Sequence, residues 1–183
     1  QKQVEDLFTV LKKEAGPAPA VELLEGKLAF VNGQYWEAVN KLASADSKFE
    51  RRNNEVALWL GKSLLRLGQT SASINGLERA VMANDLPGRW RADAAQELAQ
   101  ALMAMRFYAD AATLTRSLVK ALPENSDPKL ILASILLEQA RTVAPDKRST
   151  LVEEARNLVQ PLAKTGHLEA GRLQSVDQRA VEL

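Results

Sequence analysis

Three groups of residues in this sequence have types that could do chemistry. The first group, Gly61-Lys62-Ser63, matches the last positions of a phosphate-binding loop. Such a loop follows a strand and needs a second glycine five residues before Gly61, where Val56 stands. Because the stretch falls inside a helical pattern of apolar residues, the sequence predicts a helix here and no nucleotide site.

The second group contains the side chains that could act in catalysis or bind a metal. His167 is the only histidine and there is no cysteine, which excludes a two-histidine metal site, cysteine-ligated zinc and thiol catalysis. No serine stands in a Gly-x-Ser-x-Gly elbow. The neighbours Glu153 and Glu154 would point about 100° apart on a helix and could not act as a pair. We predict a non-enzymatic protein with no catalytic residue, no metal and no cofactor.

The third group contains two small basic clusters, Arg51-Arg52 and Arg89-Trp90-Arg91. The second has the arginine and aromatic composition that contacts phosphates and stacks on bases. However, 24 Lys+Arg against 23 Asp+Glu leave a formal net charge of +1, which argues against a dedicated nucleic-acid binder. We expect solvated turns and a packed tryptophan; an exposed Trp90 would make its loop an interaction site.

The composition is that of an ordinary globular protein of one or two domains. Of the 183 residues, 46% are hydrophobic and 26% are charged. The longest stretch without a charged residue, Leu67 to Leu77, is far shorter than the about 20 apolar residues that cross a membrane. We expect a soluble protein, with the cytoplasm and the bacterial periplasm both compatible. Because the sequence begins with Gln1 and not with Met, we interpret the chain as a processed form or as a piece of a longer protein.

The sequence contains an internal repeat. Four residues of one segment recur 35 residues later, and a third copy follows at a step of 38 residues with Tyr108 in register with Tyr35. The extra residues of the third copy fit a turn-like insertion at Pro87-Gly88-Arg89-Trp90. The recurring residues are Gly26, Gly33, Leu42 and Ala45, then Gly61, Gly68, Leu77 and Ala80, with Leu98, Ala99 and Ala111 in the third copy.

Each copy reads as two amphipathic helices. Apolar residues from Ala57 to Leu67 follow a helical stripe that Gly68 should terminate, and a second helix begins near Thr70 or Ser71. A fourth pair follows Ser126-Asp127-Pro128. Its second helix follows Pro145, with a capping box at Thr150 to Glu153, and Pro161 is expected to end or kink that helix.

The predicted organisation is therefore a row of helix pairs without a sheet. Residues 1–18 form a lone helix, interpreted as half of a preceding repeat, and residues 165–183 form a polar capping helix. Between them, the predicted helix pairs are 19–53, 54–91, 92–125 and 126–164.

These residues and their spacing resemble the tetratricopeptide-repeat (TPR) family, although the family's tryptophan is replaced by Ala57 and Ala95 in the second and third copies. The resemblance implies an all-α, right-handed superhelical solenoid of antiparallel helix pairs. It also implies a concave groove, lined by the first helix of each pair, that binds a peptide or a helix of a partner protein.

The resemblance also assigns residues to that groove. Lys27, Lys62 and Arg66 would complement acidic groups of the partner, and Phe30, Leu58 and Trp59 would take its apolar anchors. One branch of the family binds C-terminal carboxylates with a clamp of Lys and Asn side chains. This chain lacks that clamp, because the corresponding positions hold Leu23, Lys27, Trp59, Asp93 and Glu97. The predicted groove residues are Lys27, Phe30, Glu55, Leu58, Trp59, Lys62, Arg66, Asp93, Gln96, Glu97 and Gln100.

Several alternatives remain open at this level. Trp59 and Phe30 could be buried between helix pairs, where truncation would cost about 3–5 kcal/mol, or exposed as binding anchors. The module could instead bind RNA, since a 35-residue two-helix unit also suits base-reading repeats, or serve as a structural spacer or an oligomerisation array. Relatives in bacteria often serve envelope assembly, secretion or export. Self-association through terminal repeats is a further expectation.

Overall fold

The computed structural model describes residues 18–164, and all regular structure in this range is helical. Eight helices follow one another, joined by short turns and loops, and the described residues contain no strand. In chain order they are α1 (Pro19–Val31), α2 (Tyr35–Lys48), α3 (Asn54–Arg66), α4 (Thr70–Met82), α5 (Gly88–Ala104), α6 (Tyr108–Ala121), α7 (Ser126–Ala140) and α8 (Pro145–Lys164).

The chain divides into two compact units between Glu97 and Leu98, a point that lies inside α5. In the first unit α1 packs on α2, α2 on α3, and α3 on α4. In the second unit α6 packs on α7 and α7 on α8. This arrangement confirms the all-α fold of paired helices. The predicted N-terminal half-repeat and C-terminal capping helix fall mainly outside the described residues.

Two glycines let the helices of a pair approach closely in the first unit. A methyl group on Gly26 of α1 would lie 2.5 Å from Leu42 Cγ of α2, and one on Gly61 of α3 would lie 2.9 Å from Leu77 Cγ of α4. Both leucines are fully buried. Repetition of a glycine opposite a leucine therefore has a packing cause, because any larger residue would push the two helices apart.

The turn inside each of the first three pairs uses a left-handed residue. Gly33 has a φ of 77°, Gly68 has a φ of 74°, and Arg106 occupies the corresponding place in the third pair with a φ of 63°. In all three turns, the amide of the residue that follows the left-handed one donates a hydrogen bond to the carbonyl five residues before it. Gln69 N, for example, donates to Leu64 O at 2.9 Å. Gly68 thus ends α3 as predicted, while Arg106 adopts a conformation that costs a side chain about 1–2 kcal/mol.

Two local predictions about helix ends are wrong, and a third is wrong in one of its two alternatives. Pro87-Gly88-Arg89-Trp90 is not an inserted turn, because α5 begins at Gly88. Thr150 does not begin a capping box, because α8 runs continuously from Pro145 to Lys164. Pro161 lies within α8 and does not end it, so only the kink stays a prediction.

Asparagine rather than serine caps two first helices. The Asn53 side chain accepts hydrogen bonds from the amides of Glu55 and Val56 at the start of α3. Asn125 accepts one from Asp127 N at the start of α7. Each bond satisfies a donor that has no partner within the helix.

The second unit is centred on α7. Seven of its residues are buried, among them Leu132, Ile135, Leu136 and Leu137. They pack with Ala111 and Ala112 of α6 and with Val152 and Ala155 of α8 in one core cluster. A helix with apolar residues on most of its faces is expected at the centre of a core.

Candidate functional site: the first-helix face of the first unit

The candidate site consists of side chains that the repeat places at equivalent positions on α1, α3 and α5 of the first unit. On α1, Leu24, Lys27 and Val31 follow a helical stripe, and their equivalents 35 residues later on α3 are Trp59, Lys62 and Arg66. The corresponding part of α5 carries Asp93 and Glu97. We call these residues, with Phe30, Glu55, Trp90 and Gln96, the first-helix face.

Three ion pairs join successive first helices on this face. Lys27 Nζ lies 2.6 Å from Glu55 Oε1, which connects α1 to α3. Lys62 Nζ lies 2.6 Å from Asp93 Oδ2, which connects α3 to α5. Arg66 and Glu97 form a bidentate pair between the same two helices, with N···O distances of 2.9 and 2.7 Å.

One geometric rule produces all three pairs. Each basic residue has an equivalent position in the next copy of the repeat. Its acidic partner lies seven residues, or two helical turns, before that equivalent position. Glu55 thus precedes Lys62, the equivalent of Lys27, and Asp93 precedes Gln100, the equivalent of Lys62. The two-turn offset places an acid beside a base of the preceding first helix.

The pairs differ in how far they are withdrawn from water. Glu97 is the most buried carboxylate, with 7% of its side chain exposed, while Arg66 is 36% exposed. Bidentate hydrogen bonding to Glu97 raises the pKa of Arg66 above its usual value. Lys62 is the most buried cation, with 11% of its side chain exposed. Removing one member of such a pair would leave a poorly solvated charge.

An aromatic cluster lies among these charges. The Phe30 and Trp59 rings meet edge to face at 5.3 Å, and Phe30 also contacts Tyr35 at a centroid distance of 5.5 Å. Lys62 Nζ lies 5.0 Å from the Trp59 centroid and 5.6 Å from that of Phe30. Edge-to-face rings and ammonium groups over ring faces are both favourable electrostatically.

Trp90 joins this cluster from α5. Lys27 Nζ lies 5.3 Å from the Trp90 centroid and 5.5 Å from the Trp59 centroid. The ammonium therefore lies near two indole rings while it is bonded to Glu55. Trp90 is half-buried in the first turn of α5, so the expectation of a packed tryptophan holds and the alternative of an exposed loop does not.

The structure corrects two parts of the predicted groove. Leu58 is only 1% exposed, so its side chain belongs to the core and cannot take an anchor of a partner. Lys27, Lys62 and Arg66 are each neutralised by an acid of the same unit, so they offer no spare charge to acidic groups of a partner. The sequence prediction missed this, because it considered each first helix by itself and the acids come from the next first helix.

The remaining predicted residues have different exposures. Trp59 and Phe30 are half-buried, so neither the fully buried nor the fully exposed alternative describes them. The Trp59 Nε1 atom is buried and has no hydrogen-bond acceptor among residues 18–164. Gln96 is half-buried on the part of α5 in the first unit, whereas Gln100 is exposed and belongs to the second unit.

Sequence reasoning missed two exposed apolar residues of this face. Leu24 is 42% exposed and Val31 is 73% exposed. Leu24 and Val31 lie 35 residues before Trp59 and Arg66, so the repeat spacing identifies both of them as equivalents of predicted groove residues. Trp90 was also missed as a member of the face, because it was assigned to a turn and not to the first turn of a helix.

The described part of the chain contains neither a candidate metal site nor a candidate membrane-spanning helix. Within residues 18–164, His, Cys, Asp and Glu residues do not come together in threes that could hold a metal ion. None of the helices in that range has the length and apolar character needed to cross a bilayer. His167 lies outside the described residues.

Comparison with solved structures identifies the fold. YrrB, a TPR protein with an unusual peptide-binding site, aligns over 97% of this chain and 84% of its own with a TM-score of 0.72 and 16% identity. MamA from Desulfovibrio magneticus RS-1 aligns over 87% of this chain and 84% of its own, with a TM-score of 0.70 and 16% identity.

A longer protein is also similar to this chain. A chain of the APC/C hetero-tetramer Cut9–Hcn1 aligns over 98% of this chain but 33% of its own length, with a TM-score of 0.70 and 15% identity. No protein-family sequence model matches the chain, and no curated protein matches it by sequence. The similarity to solved structures therefore shows the fold: the chain has the all-α fold of tetratricopeptide-repeat proteins.

Proposed function

We propose that this chain is a non-enzymatic protein-interaction scaffold whose first-helix face binds a peptide or a helix of a partner protein. The observation that carries the proposal is the combination of the half-buried Phe30 and Trp59 rings with the exposed Leu24 and Val31. An aromatic anchor beside accessible apolar side chains has the composition of a binding hot spot.

The paired charges give this face a specific mechanism. Because each cation is bonded to an acid of the neighbouring first helix, the face is polar but locally neutral. A partner therefore gains affinity from apolar burial against Leu24, Val31 and Trp59, while the ion pairs fix its orientation and disfavour an unpaired charge.

Preorganisation supports the same function. The side chains of the face are held by contacts between helices, including the bidentate bond of Arg66 and the edge-to-face rings. Binding then requires little ordering of the scaffold, which reduces the entropic cost of association. The peptide-binding site of YrrB is a property of that protein, and it serves here as an analogy for what the fold can do.

A peptide-display selection tests the proposal. Wild type is compared with Leu24→Glu, Val31→Glu and with a control of equal charge, Trp36→Glu, Phe107→Glu, in which the altered residues are also exposed and apolar. Circular dichroism and the unfolding midpoint establish that all three proteins are folded.

The proposal predicts selected peptides that carry apolar residues, bind the wild type and the control equally, and bind the first-helix variant at least about tenfold more weakly. Peptides that bind all three proteins equally would locate binding elsewhere. A selection that recovers no binder would favour a structural spacer, and binders lost only from the control would place the site on another surface.

A further inference from the structure

Among residues 18–97, three exposed arginines without an acidic partner lie at the loops and helix starts that lead into α3 and α5. Arg51 and Arg52 are exposed in the loop before α3, and Arg89 is exposed in the first turn of α5. None of the three has an acidic partner among residues 18–164, whereas Lys27, Lys62 and Arg66 all do. A free guanidinium favours a carboxylate as its partner.

Direct contacts place the two loops side by side. Asn54 Nδ2 donates a hydrogen bond to Asp85 Oδ1 at 2.8 Å, which joins the start of α3 to the loop before α5. Arg79 of α4 donates to the carbonyl of Asn53 at 3.2 Å. These bonds join the start of α3, which directly follows Arg51 and Arg52, to the loop that leads to Arg89. We call this surface the loop edge.

An exposed apolar side chain accompanies the arginines. Met82, the last residue of α4, is 80% exposed, and it directly precedes the loop that carries Asp85. Methionine is a flexible side chain that adapts to different apolar partners. The loop edge therefore combines unpaired positive charge with an accessible apolar contact.

The N-terminal ends of two helices add to the positive potential at this edge. Both α3 and α5 begin here, and the backbone amides at the start of a helix carry partial positive charge. Glu50 and Asp85 offset part of this charge, because the Asn54 amide that bonds Asp85 is neutral, but the three arginines outnumber these two acids.

We propose that the loop edge docks an acidic protein segment in which carboxylates flank an apolar side chain. Carboxylates of this segment pair with Arg51, Arg52 and Arg89, and the apolar side chain contacts Met82. This surface uses different side chains from the first-helix face, whose cations are already paired.

The chemistry of the loop edge favours a peptide over RNA. A single-stranded nucleic acid needs a continuous basic track and aromatic side chains on which its bases stack. Here Glu50 and Asp85 interrupt the basic residues, and the nearest tryptophan, Trp90, lies under the ammonium of Lys27. Met82 offers an apolar contact that a phosphate backbone does not use.

Fluorescence anisotropy with defined probes tests this proposal. The acidic probe is a short labelled peptide with glutamates on both sides of a central leucine pair, and the neutral probe has glutamine in place of every glutamate. A single-stranded oligouridylate of the same length is the nucleic-acid probe. The proteins are wild type, Arg51→Ser with Arg89→Ser, Met82→Ser, and a control with the same loss of charge, Lys120→Ser with Lys147→Ser, at exposed positions of the second unit.

The expected result is binding of the acidic probe that weakens with salt, falls about tenfold in the double-arginine variant, and changes less than about twofold in the lysine control. Met82→Ser should weaken the acidic probe severalfold without changing its salt dependence. The neutral probe should bind at least about tenfold more weakly than the acidic one.

Three results would overturn the proposal. They are the absence of binding by the acidic probe, an equal loss in the lysine control, and tighter binding of the oligouridylate that depends on the same arginines. The variant Leu24→Glu, Val31→Glu separates the two surfaces, because it should retain the acidic probe whether or not the first-helix face binds peptides.

Discussion

The two units are built from the same helix pairs, and each has an apolar core, but the further contacts that join their helices differ. In the first unit, three ion pairs and an aromatic cluster join the first helices to one another. In the second unit, α7 is buried among apolar residues of α6 and α8, and the bidentate pair Arg116–Glu154 joins the second helices α6 and α8. The same helical scaffold thus has a polar, aromatic first-helix face in one unit and an apolar centre in the other.

This contrast has a physical consequence for function. A buried apolar helix such as α7 contributes stability through transfer from water and close packing, and it leaves little for a partner to contact. A face built from ion pairs and half-buried rings contributes less to stability but keeps its groups accessible. The first unit is therefore the better candidate for recognition, and the second is the better candidate for a stable support.

The largest expected effect is on the core of the second unit. Leu136 of α7 is fully buried, so Leu136→Ala should lower the free energy of unfolding by about 2–5 kcal/mol through lost burial and a cavity. Urea denaturation followed by circular dichroism measures this change. A loss below about 1 kcal/mol would contradict the central role of α7, and Leu122→Ala, at a partly exposed position just after α6, is the control.

The next effect compares the bidentate ion pairs of the two units. Glu97→Ala should lower the free energy of unfolding by about 1–3 kcal/mol, because it leaves Arg66 without its partner beside a poorly solvated site. Glu154→Ala should cost less than about 1 kcal/mol, since the Arg116 and Glu154 side chains are 40% and 35% exposed.

Denaturation in low and high salt completes this comparison. The cost of Glu154→Ala should shrink with salt, and that of Glu97→Ala should change little. Equal losses of unfolding free energy for the two substitutions would show that burial does not make the Arg66–Glu97 pair stronger than the Arg116–Glu154 pair. That result would contradict an electrostatic difference between the units.

A smaller effect of opposite sign is expected at the turn of the third pair. Arg106 holds the left-handed conformation that glycine holds at Gly33 and Gly68. Arg106→Gly should raise the free energy of unfolding by up to about 1 kcal/mol, because relief of backbone strain exceeds the added flexibility of the unfolded chain. Gly68→Ala should destabilise the protein by about 1 kcal/mol. Thermal unfolding of both variants measures these shifts, and destabilisation by Arg106→Gly would contradict the account.

The smallest effect concerns the pH dependence of the first unit. A hydrogen bond from Lys48 lowers the pKa of Glu22 below its ordinary value of 4.5. Since the folded pKa is below the unfolded one, the stabilisation is fully present above about pH 4.5 and is lost as the pH falls through the folded pKa. Glu22→Gln should therefore flatten the acid limb of the stability curve, measured by urea denaturation from neutral to acidic pH. An unchanged slope would show that this pair does not contribute.

Most of the fold could be predicted from the sequence because its repeat has a packing cause. Glycines at Gly26 and Gly61 are required by the leucines opposite them, so they recur with the period of the fold. Helix ends were harder. At Pro87 the chain looks like a turn, yet its carbonyl accepts from the amides of Trp90 and Arg91 and begins α5. The signal of a proline just before a helix was outweighed by the turn signal of Pro-Gly.

The site was less predictable because its contacts join different copies of the repeat. The sequence predicts Lys62 and Arg66 as residues of the face. Their acidic partners, however, lie 31 residues further along the chain, which is seven residues less than the 38-residue step of the repeat. A search for acids two turns before each equivalent basic position would have found all three pairs. The half-burial of Trp59 could not be read from periodicity, because both faces of α3 pack against neighbours.

Site-specific photo-crosslinking can show whether a partner protein contacts the first-helix face. A photoreactive phenylalanine analogue replaces Leu24 on the first-helix face or Asn40, an exposed residue on the second helix of the same pair, in the cells that produce the chain. If the first-helix face binds a partner, a discrete protein adduct should form from position 24 and be absent at position 40. Trp59→Ala, in a protein shown to be folded, should remove that adduct. The same adducts from both positions, or none from position 24, would contradict binding at the first-helix face.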